Sequence, residues 1–155
     1  MSFIKRILCP TDFSAGSKTA LAYAIQLAER LNAKVTLVHV APTPMYVMPG
    51  GSFAPMANDM AIIMDSARHE LDAWVENYAE GTTVELASSL RQGDAYGMIN
   101  AEAETLDVDL IVMGTHGRTG LARLVMGSVA ERVVRTSKRP VLTVPSQPAK
   151  EEAAI

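Results

Sequence analysis

Cysteine occurs once among the 155 residues, at position 9. A lone cysteine excludes an intrachain disulfide, and with it the cross-linked scaffold of a small secreted domain. The expected address is therefore cytoplasmic. There is no surplus of positive charge either: 14 Lys and Arg stand against 17 Asp and Glu, a formal net charge of -3. A protein that tracks nucleic-acid phosphates gathers its basic residues on one face, whereas here they alternate with acids except near Arg132, Arg135, Lys138 and Arg139. That cluster reads as a helix end, where cations oppose the negative pole of the dipole, so no nucleic-acid partner is expected. No apolar run approaches the length of a membrane span. The first eight residues carry Lys5 and Arg6 and are soon punctuated by Pro10, a pattern for a strand rather than a leader. Neither a Gly-Lys-Ser/Thr phosphate loop nor a G-x-G-x-x-G turn occurs, which disfavours ordinary NTPases and dehydrogenases. There is no internal repeat.

What is present is an alternation of strands and helices. Residues 3–9 and 34–40 are short apolar runs, the second rich in β-branched side chains. Between them Leu21, Ala24, Ile25, Ala28 and Leu31 recur at helical spacing, with Ser14 placed as N-cap and Asn32 as a left-handed stop. Residues 41–58 break all periodicity with Pro42, Pro44, Pro49 and Pro55 and the Gly50-Gly51 pair, and predict an irregular connection. From Asn58 or Asp59 a helix follows through Met60, Ile63, Met64, Ala67, Leu71, Trp74, Val75 and Tyr78 to a stop at Gly81. Its Met and aromatic stripe reads as core packing. Residues 83–90 alternate like an edge strand, a modest helix follows Gly93, and residues 108–113 form a strand apolar on both faces, expected at the sheet centre. A helix after Gly127 and a last strand at 140–144 complete the series. The alternation predicts a mainly parallel sheet with helices on both faces, an α/β chain whose single domain spans 1–146 with a frayed tail at 147–155.

In such sheets ligands sit beyond the carboxyl ends of the strands, where the strand order reverses. The places to search are Thr11-Asp12, His39-Val40 and Gly114 onward. Gly114-Thr115-His116-Gly117 leaves a strand, and nine residues later Gly127-Ser128 opens a helix. Glycine at 114 and 117 lets the backbone turn tightly and present amides to a phosphate chain. Gly127 and Ser128 would place unpaired N–H groups and a hydroxyl at the positive end of a helix. The competing structural reading is a capping box, in which Ser128 caps the helix and Glu131 reaches back. Asp12 could accept hydrogen bonds from a ribose, or could merely cap the turn Thr-Asp-Phe-Ser. His39 and His116 are read as structural residues, and with one Asp they do not make a metal-ligand set.

Over residues 1 to about 146 the sequence resembles the universal stress protein family. The resemblance rests on Pro10-Thr11-Asp12-Phe13-Ser14, on Leu37-Val38-His39-Val40, and on the full G-x2-G-x9-G-S spacing. It implies an adenine nucleotide alpha hydrolase-like fold, a three-layer α/β/α sandwich with a five-stranded sheet of order 3-2-1-4-5 and four helices. It further implies ATP as ligand, on Pro10, Thr11, Asp12, Val40, Met113, Gly114, Gly117, Arg118, Gly127, Ser128 and Val129. Asp12 would meet the ribose or adenine and Val40 the adenine, while Gly114, Gly117, Gly127, Ser128 and Val129 would hold the triphosphate and ribose, with Arg118 in the loop above. Magnesium would arrive on the phosphates, keeping most of its waters, rather than on protein ligands.

Arg118 and Arg123 could stabilise charge in phosphoryl transfer, but no residue stands out to position a water. The expectation is a nucleotide-dependent regulator or sensor of the stress response, acting on an unknown protein partner, with at most slow ATP hydrolysis. The alternatives are an ATP-cleaving enzyme with a second substrate bound by residues 41–58, and a nucleotide-free interaction protein. The last strand, Pro140, Val141, Leu142, Thr143 and Val144, carries no charge, and as an open edge it would invite pairing with another chain. Together with the resemblance, this predicts a homodimer through that strand.

Overall fold

The computed structural model describes residues 3–116 and 126–146. The chain runs β1 (Arg6–Pro10), α1 (Ala15–Leu31), β2 (Lys34–Ala41), β3 (Met45–Val47), β4 (Phe53–Pro55), α2 (Ala57–Ala79), β5 (Leu86–Gln92), α3 (Ala95–Thr105), β6 (Leu110–Gly114), α4 (Ser128–Thr136) and β7 (Val141–Val144). Five strands form one sheet in the order β5-β2-β1-β6-β7, every neighbouring pair parallel. With the short β3 and β4 set aside, this is the expected order 3-2-1-4-5.

Alternation along the strands divides the core in two. Ile7 and Cys9 of β1, Val35 and Leu37 of β2, and Leu110 and Val112 of β6 point to one face, where Ala20, Leu21, Ala24 and Ala28 of α1 and Leu71 and Trp74 of α2 cover them. Leu8, Val38, Ile111 and Met113 point to the other, under Ile99 and Ala103 of α3 and Ala130 and Val133 of α4. A parallel sheet needs both coats, because each crossover lays a helix on one face or the other. The β6 strand is interior, as its apolar run predicts, but β1 occupies the geometric centre.

Local signals account for most boundaries. Ser14 caps α1 through its hydroxyl, and Asn32 ends it at φ 51. Asp94 caps α3 by accepting the Gly97 amide. The expected start of α2 at Asn58 or Asp59 is late by one or two residues, since helix begins at Ala57, after Met56 and without a side-chain cap. Pro140 lies outside β7, because it has no N–H to donate, although its carbonyl accepts the Ile111 amide.

The irregular connection expected at 41–58 contains a small antiparallel hairpin of β3 and β4. The Met48 amide donates to the Ser52 carbonyl and the Gly51 amide to the Met48 carbonyl, with Gly50 at φ 104 and Gly51 at φ 86. Only glycine adopts those angles without strain, so the Pro-Gly-Gly stretch that reads as disorder of pattern is a hairpin turn.

Candidate functional site

A cavity of about 260 Å³ opens beyond the carboxyl ends of β1, β2 and β6. Two crossovers leave the central strands on opposite faces there, one from β1 to α1 and one from β6 to α4, and the gap between them stays open. Its floor is apolar, built from Val38 and Val40 of β2, Met113 of β6, Ile99 of α3 and Ala130 of α4. Its rim is polar, with Thr11, Asp12 and Ser17 on one side and Thr115, His116, Gly127 and Ser128 on the other. Of the residues singled out in the sequence, Pro10, Thr11, Asp12, Val40, Met113, Gly114, Gly127, Ser128 and Val129 all line this cavity. Gly117, Arg118 and Arg123 lie outside the described residues.

The first rim is a loop knotted by hydrogen bonds. The Thr11 amide donates to the Val38 carbonyl at 2.8 Å, and its hydroxyl accepts the Phe13 amide at 3.0 Å. Asp12 Oδ1 accepts the Ser14 amide at 3.0 Å and the Ser17 hydroxyl at 2.7 Å, while Ser17 Oγ accepts the Asp12 amide at 3.1 Å. Asp12 is thus a turn residue, as one of its two readings expects, and it also lines the cavity. Phe13 takes φ 63, the left-handed region that a bulky side chain enters at a cost of about 1–2 kcal/mol. His39 Nδ1 lies 2.8 Å from the Thr11 carbonyl; a carbonyl only accepts, so Nδ1 carries the proton. This is the structural role expected of His39.

The second rim is the start of α4. Gly127 is the N-cap, Ser128 is the first helical residue, and no side chain caps the helix. The capping box is therefore not formed. Ser128 sits one position too late for it, and Glu131 is turned instead to Arg135, 2.6 Å away. The Gly127 amide donates to the Thr115 carbonyl at 2.6 Å and the Thr115 amide to the Val144 carbonyl at 3.2 Å, so β6, α4 and β7 are stitched together at the cavity's edge. The Thr115 hydroxyl and His116 Nδ1 are 2.9 Å apart.

Four contributors escape sequence reading. Ser17 is buried and fixes Asp12, yet it stands within a helix with no motif to mark it. Ala95 and Ile99 line the wall from α3, where their apolar character points only to the core. Gly16 is the fourth. A Cβ there would lie 2.7 Å from the His116 carbonyl oxygen, and one on Gly114 would lie 3.1 Å from the Gly16 carbonyl oxygen. Gly114 is thus needed for close approach of two backbones rather than for a tight turn. A glycine in the first turn of a helix, where alanine is better by about 1 kcal/mol, is the signal that points to Gly16.

The basic cluster near the end of α4 is engaged within the fold. Arg132 lies over the Tyr96 ring at 5.0 Å, Arg135 pairs with Glu131, and Arg139 bonds Glu104, Asp107 and the Val108 carbonyl. Among the described residues no three His, Cys, Asp or Glu side chains converge in a way that could hold a metal ion. No described helix is long and apolar enough to cross a membrane.

The sequence model of the Universal stress protein family matches residues 4–145. A universal stress protein of Methanocaldococcus jannaschii is 34% identical over 148 residues, covering 95% of this chain and 85% of that protein. Among solved structures, the universal stress protein UspA from Lactobacillus plantarum superposes with a TM-score of 0.77 at 25% identity, covering 91% of this chain and 97% of that one. A family protein from Arabidopsis thaliana, solved with AMP bound, has a TM-score of 0.64 at 21% identity and covers 94% and 97%.

Proposed function

The chain belongs to the universal stress protein family, and from that premise we propose that it is an ATP-binding regulator whose nucleotide occupies the cavity beyond β1, β2 and β6. The observation that carries this reading is the polarity of the cavity: an apolar floor lies between a carboxylate loop and a helix start with no side-chain cap. The Val38, Val40, Ile99 and Met113 surface suits a purine ring. Asp12 suits ribose hydroxyls, which donate to a carboxylate. The first amides of α4, with the positive end of its dipole and the Ser128 hydroxyl, suit phosphate oxygens. The same fold carries AMP in the Arabidopsis protein.

The donor set also fits magnesium delivered on the phosphates. Asp12 is the one carboxylate among the described lining residues and belongs to the nucleoside end, so the ion would keep phosphate and water ligands. When bound, it neutralises phosphate charge. For the same reason no carboxylate stands among those residues to orient a water at the terminal phosphate, and turnover would be slow. Occupancy, rather than product, is then the signal, in a cytoplasmic stress response.

Native mass spectrometry of freshly purified protein, followed by Mg-ATP titration of wild type and Gly127→Val, tests the reading. ATP that co-purifies or titrates with wild type and is lost in the variant supports it. Millimolar Mg-ATP that binds neither protein overturns it and leaves a nucleotide-free interaction protein.

We further propose that β7 pairs antiparallel with its copy in a homodimer. Among the described strands it pairs with β6 alone, and its four residues carry no charge. Leu142→Lys should sediment as monomer, and an unchanged dimer would exclude this interface.

A further inference from the structure

A ladder of rings joins the loop that carries Asp12 to the outer helix α2. His39, on the cavity wall, lies 4.5 Å from Phe13 between ring centroids. Phe13 meets Trp74 of α2 edge-on, at 5.4 Å and 71°. Trp74 in turn lies 6.1 Å from Tyr78, one turn further along α2, and the Lys18 ammonium of α1 stands 5.9 Å from the Trp74 ring. Phe13 is also the residue held at φ 63. A bulky side chain persists in that region only where its surroundings over-determine it. Here the Thr11 hydroxyl holds its amide, Asp12 Oδ1 holds the next amide, and the rings of His39 and Trp74 hold its side chain.

We propose that Phe13 is a positioning residue that couples occupancy of the cavity to α2, keeping Asp12 and His39 in binding geometry and carrying the arrival of a nucleotide to Trp74. The proposal rests on the ATP-binding reading above and adds to it the route by which binding is transmitted. The physical element is the Phe13 peptide, with a strained, ring-packed state and a relaxed one. Asp12 Oδ1 accepts the Ser14 amide on the far side of Phe13, so rotation that relaxes Phe13 draws that amide away and removes one of the bonds that orient the Asp12 carboxylate. A ligand that engages Asp12 in its present orientation favours the packed state, and a shift of that equilibrium moves the ring against Trp74. Reciprocity follows: loosening the ring packing must weaken nucleotide binding, although neither Phe13 nor Trp74 lines the cavity.

Trp74 is the chain's one tryptophan, so fluorescence excited selectively at tryptophan, clear of the four tyrosines, reports on this point alone. Because Trp74 does not line the cavity, an emission change cannot come from an adenine stacked on it. The experiment is Mg-ATP titration of the full chain, followed in parallel by tryptophan emission and by calorimetry. In wild type the emission change should saturate with the calorimetric Kd. In Phe13→Leu the emission change should be lost and the affinity weakened by about fivefold or more. Heat of binding without an emission change in wild type overturns the coupling and leaves ATP binding standing. Absence of both overturns the two together. An unaltered emission response and affinity in Phe13→Leu also overturns the coupling. Should that variant fail to fold, hydrogen exchange of the wild type takes its place. Amides of α2 around Trp74 should gain protection with Mg-ATP, and an unchanged pattern there counts against the coupling.

Discussion

The two ends of the sheet treat polar groups in opposite ways. At the amino ends of the strands, charges are matched to one another and to the backbone. Asp109 Oδ2 accepts the amides of Lys5 and Arg6 at 2.8 and 2.9 Å. Arg6 bonds Asp107, and Arg139 bridges Asp107, Glu104 and the Val108 carbonyl. At the carboxyl ends, only one carboxylate is found among the described cavity residues, and the rest of the polar rim is hydroxyl, imidazole and backbone. At one end the charges are taken up by partners within the fold, around a polar hollow lined by Lys5, Asn32, Lys34 and Glu85, while the other keeps an apolar-floored cavity with a strained bulky residue behind its rim. Stability and the proposed binding therefore draw on different chemistry in one sheet.

Substitutions can separate the two ends. The largest effect is expected from Gly16→Ala. Its Cβ must displace backbone, the His116 carbonyl, at a cost of about 1–3 kcal/mol in a thermal melt. The displaced segment borders the cavity, so Mg-ATP affinity in calorimetric titration should fall by more than tenfold. Normal affinity with normal stability would show that the close approach of Gly16 and Gly114 is not needed.

Asp109→Ala probes the amino end and should lower stability by about 1 kcal/mol with ATP affinity unchanged. Its pH dependence has a definite sign. The Lys5 amide, ahead of burial acting the other way and of the Arg6 amide, holds the Asp109 carboxyl below its ordinary value. Its contribution is therefore complete above the unfolded carboxyl's pKa and is lost as pH falls through the lower folded value. Denaturation curves of wild type and variant should converge in that acid range. A gap that persists below it would assign the effect to packing.

Arg135→Ala sets the lower bound. The Arg135–Glu131 pair is exposed and lies on one helix face, so its loss should cost less than about 0.5 kcal/mol. A larger loss would mean that the basic cluster near the end of α4 carries more of the fold than its exposure indicates.

Much of this arrangement is legible in the sequence, because it depends on short-range rules. Short apolar runs and, for β5, period-two alternation identify the sheet strands, and the spacing through Leu21, Ala24 and Ile25 or through Leu71, Trp74 and Tyr78 identifies helices. The expected cavity residues from Pro10 to Val129, wherever described, line one cavity because motifs at strand ends and helix starts are local features. The hairpin of β3 and β4 was hidden by its prolines, although Pro-Gly-Gly between Met45–Val47 and Phe53–Pro55 carries its turn chemistry. The capping box failed by one residue, since Ser128 can cap only from the position that Gly127 holds.

By itself the sequence determined the order and type of the main elements, the two-coated sheet and the family, since periodicity, caps and motif spacing act within a few residues. Only the tertiary structure decided that Gly16 abuts Gly114 and the His116 carbonyl, that Ser17 orients Asp12, and that His39, Phe13 and Trp74 stack across three elements. Apart from Ser17 and Asp12, which face each other across the loop and first turn of α1, such contacts join residues far apart in the chain. Their geometry is settled by how helices pack on a twisted sheet, and no local pattern encodes it.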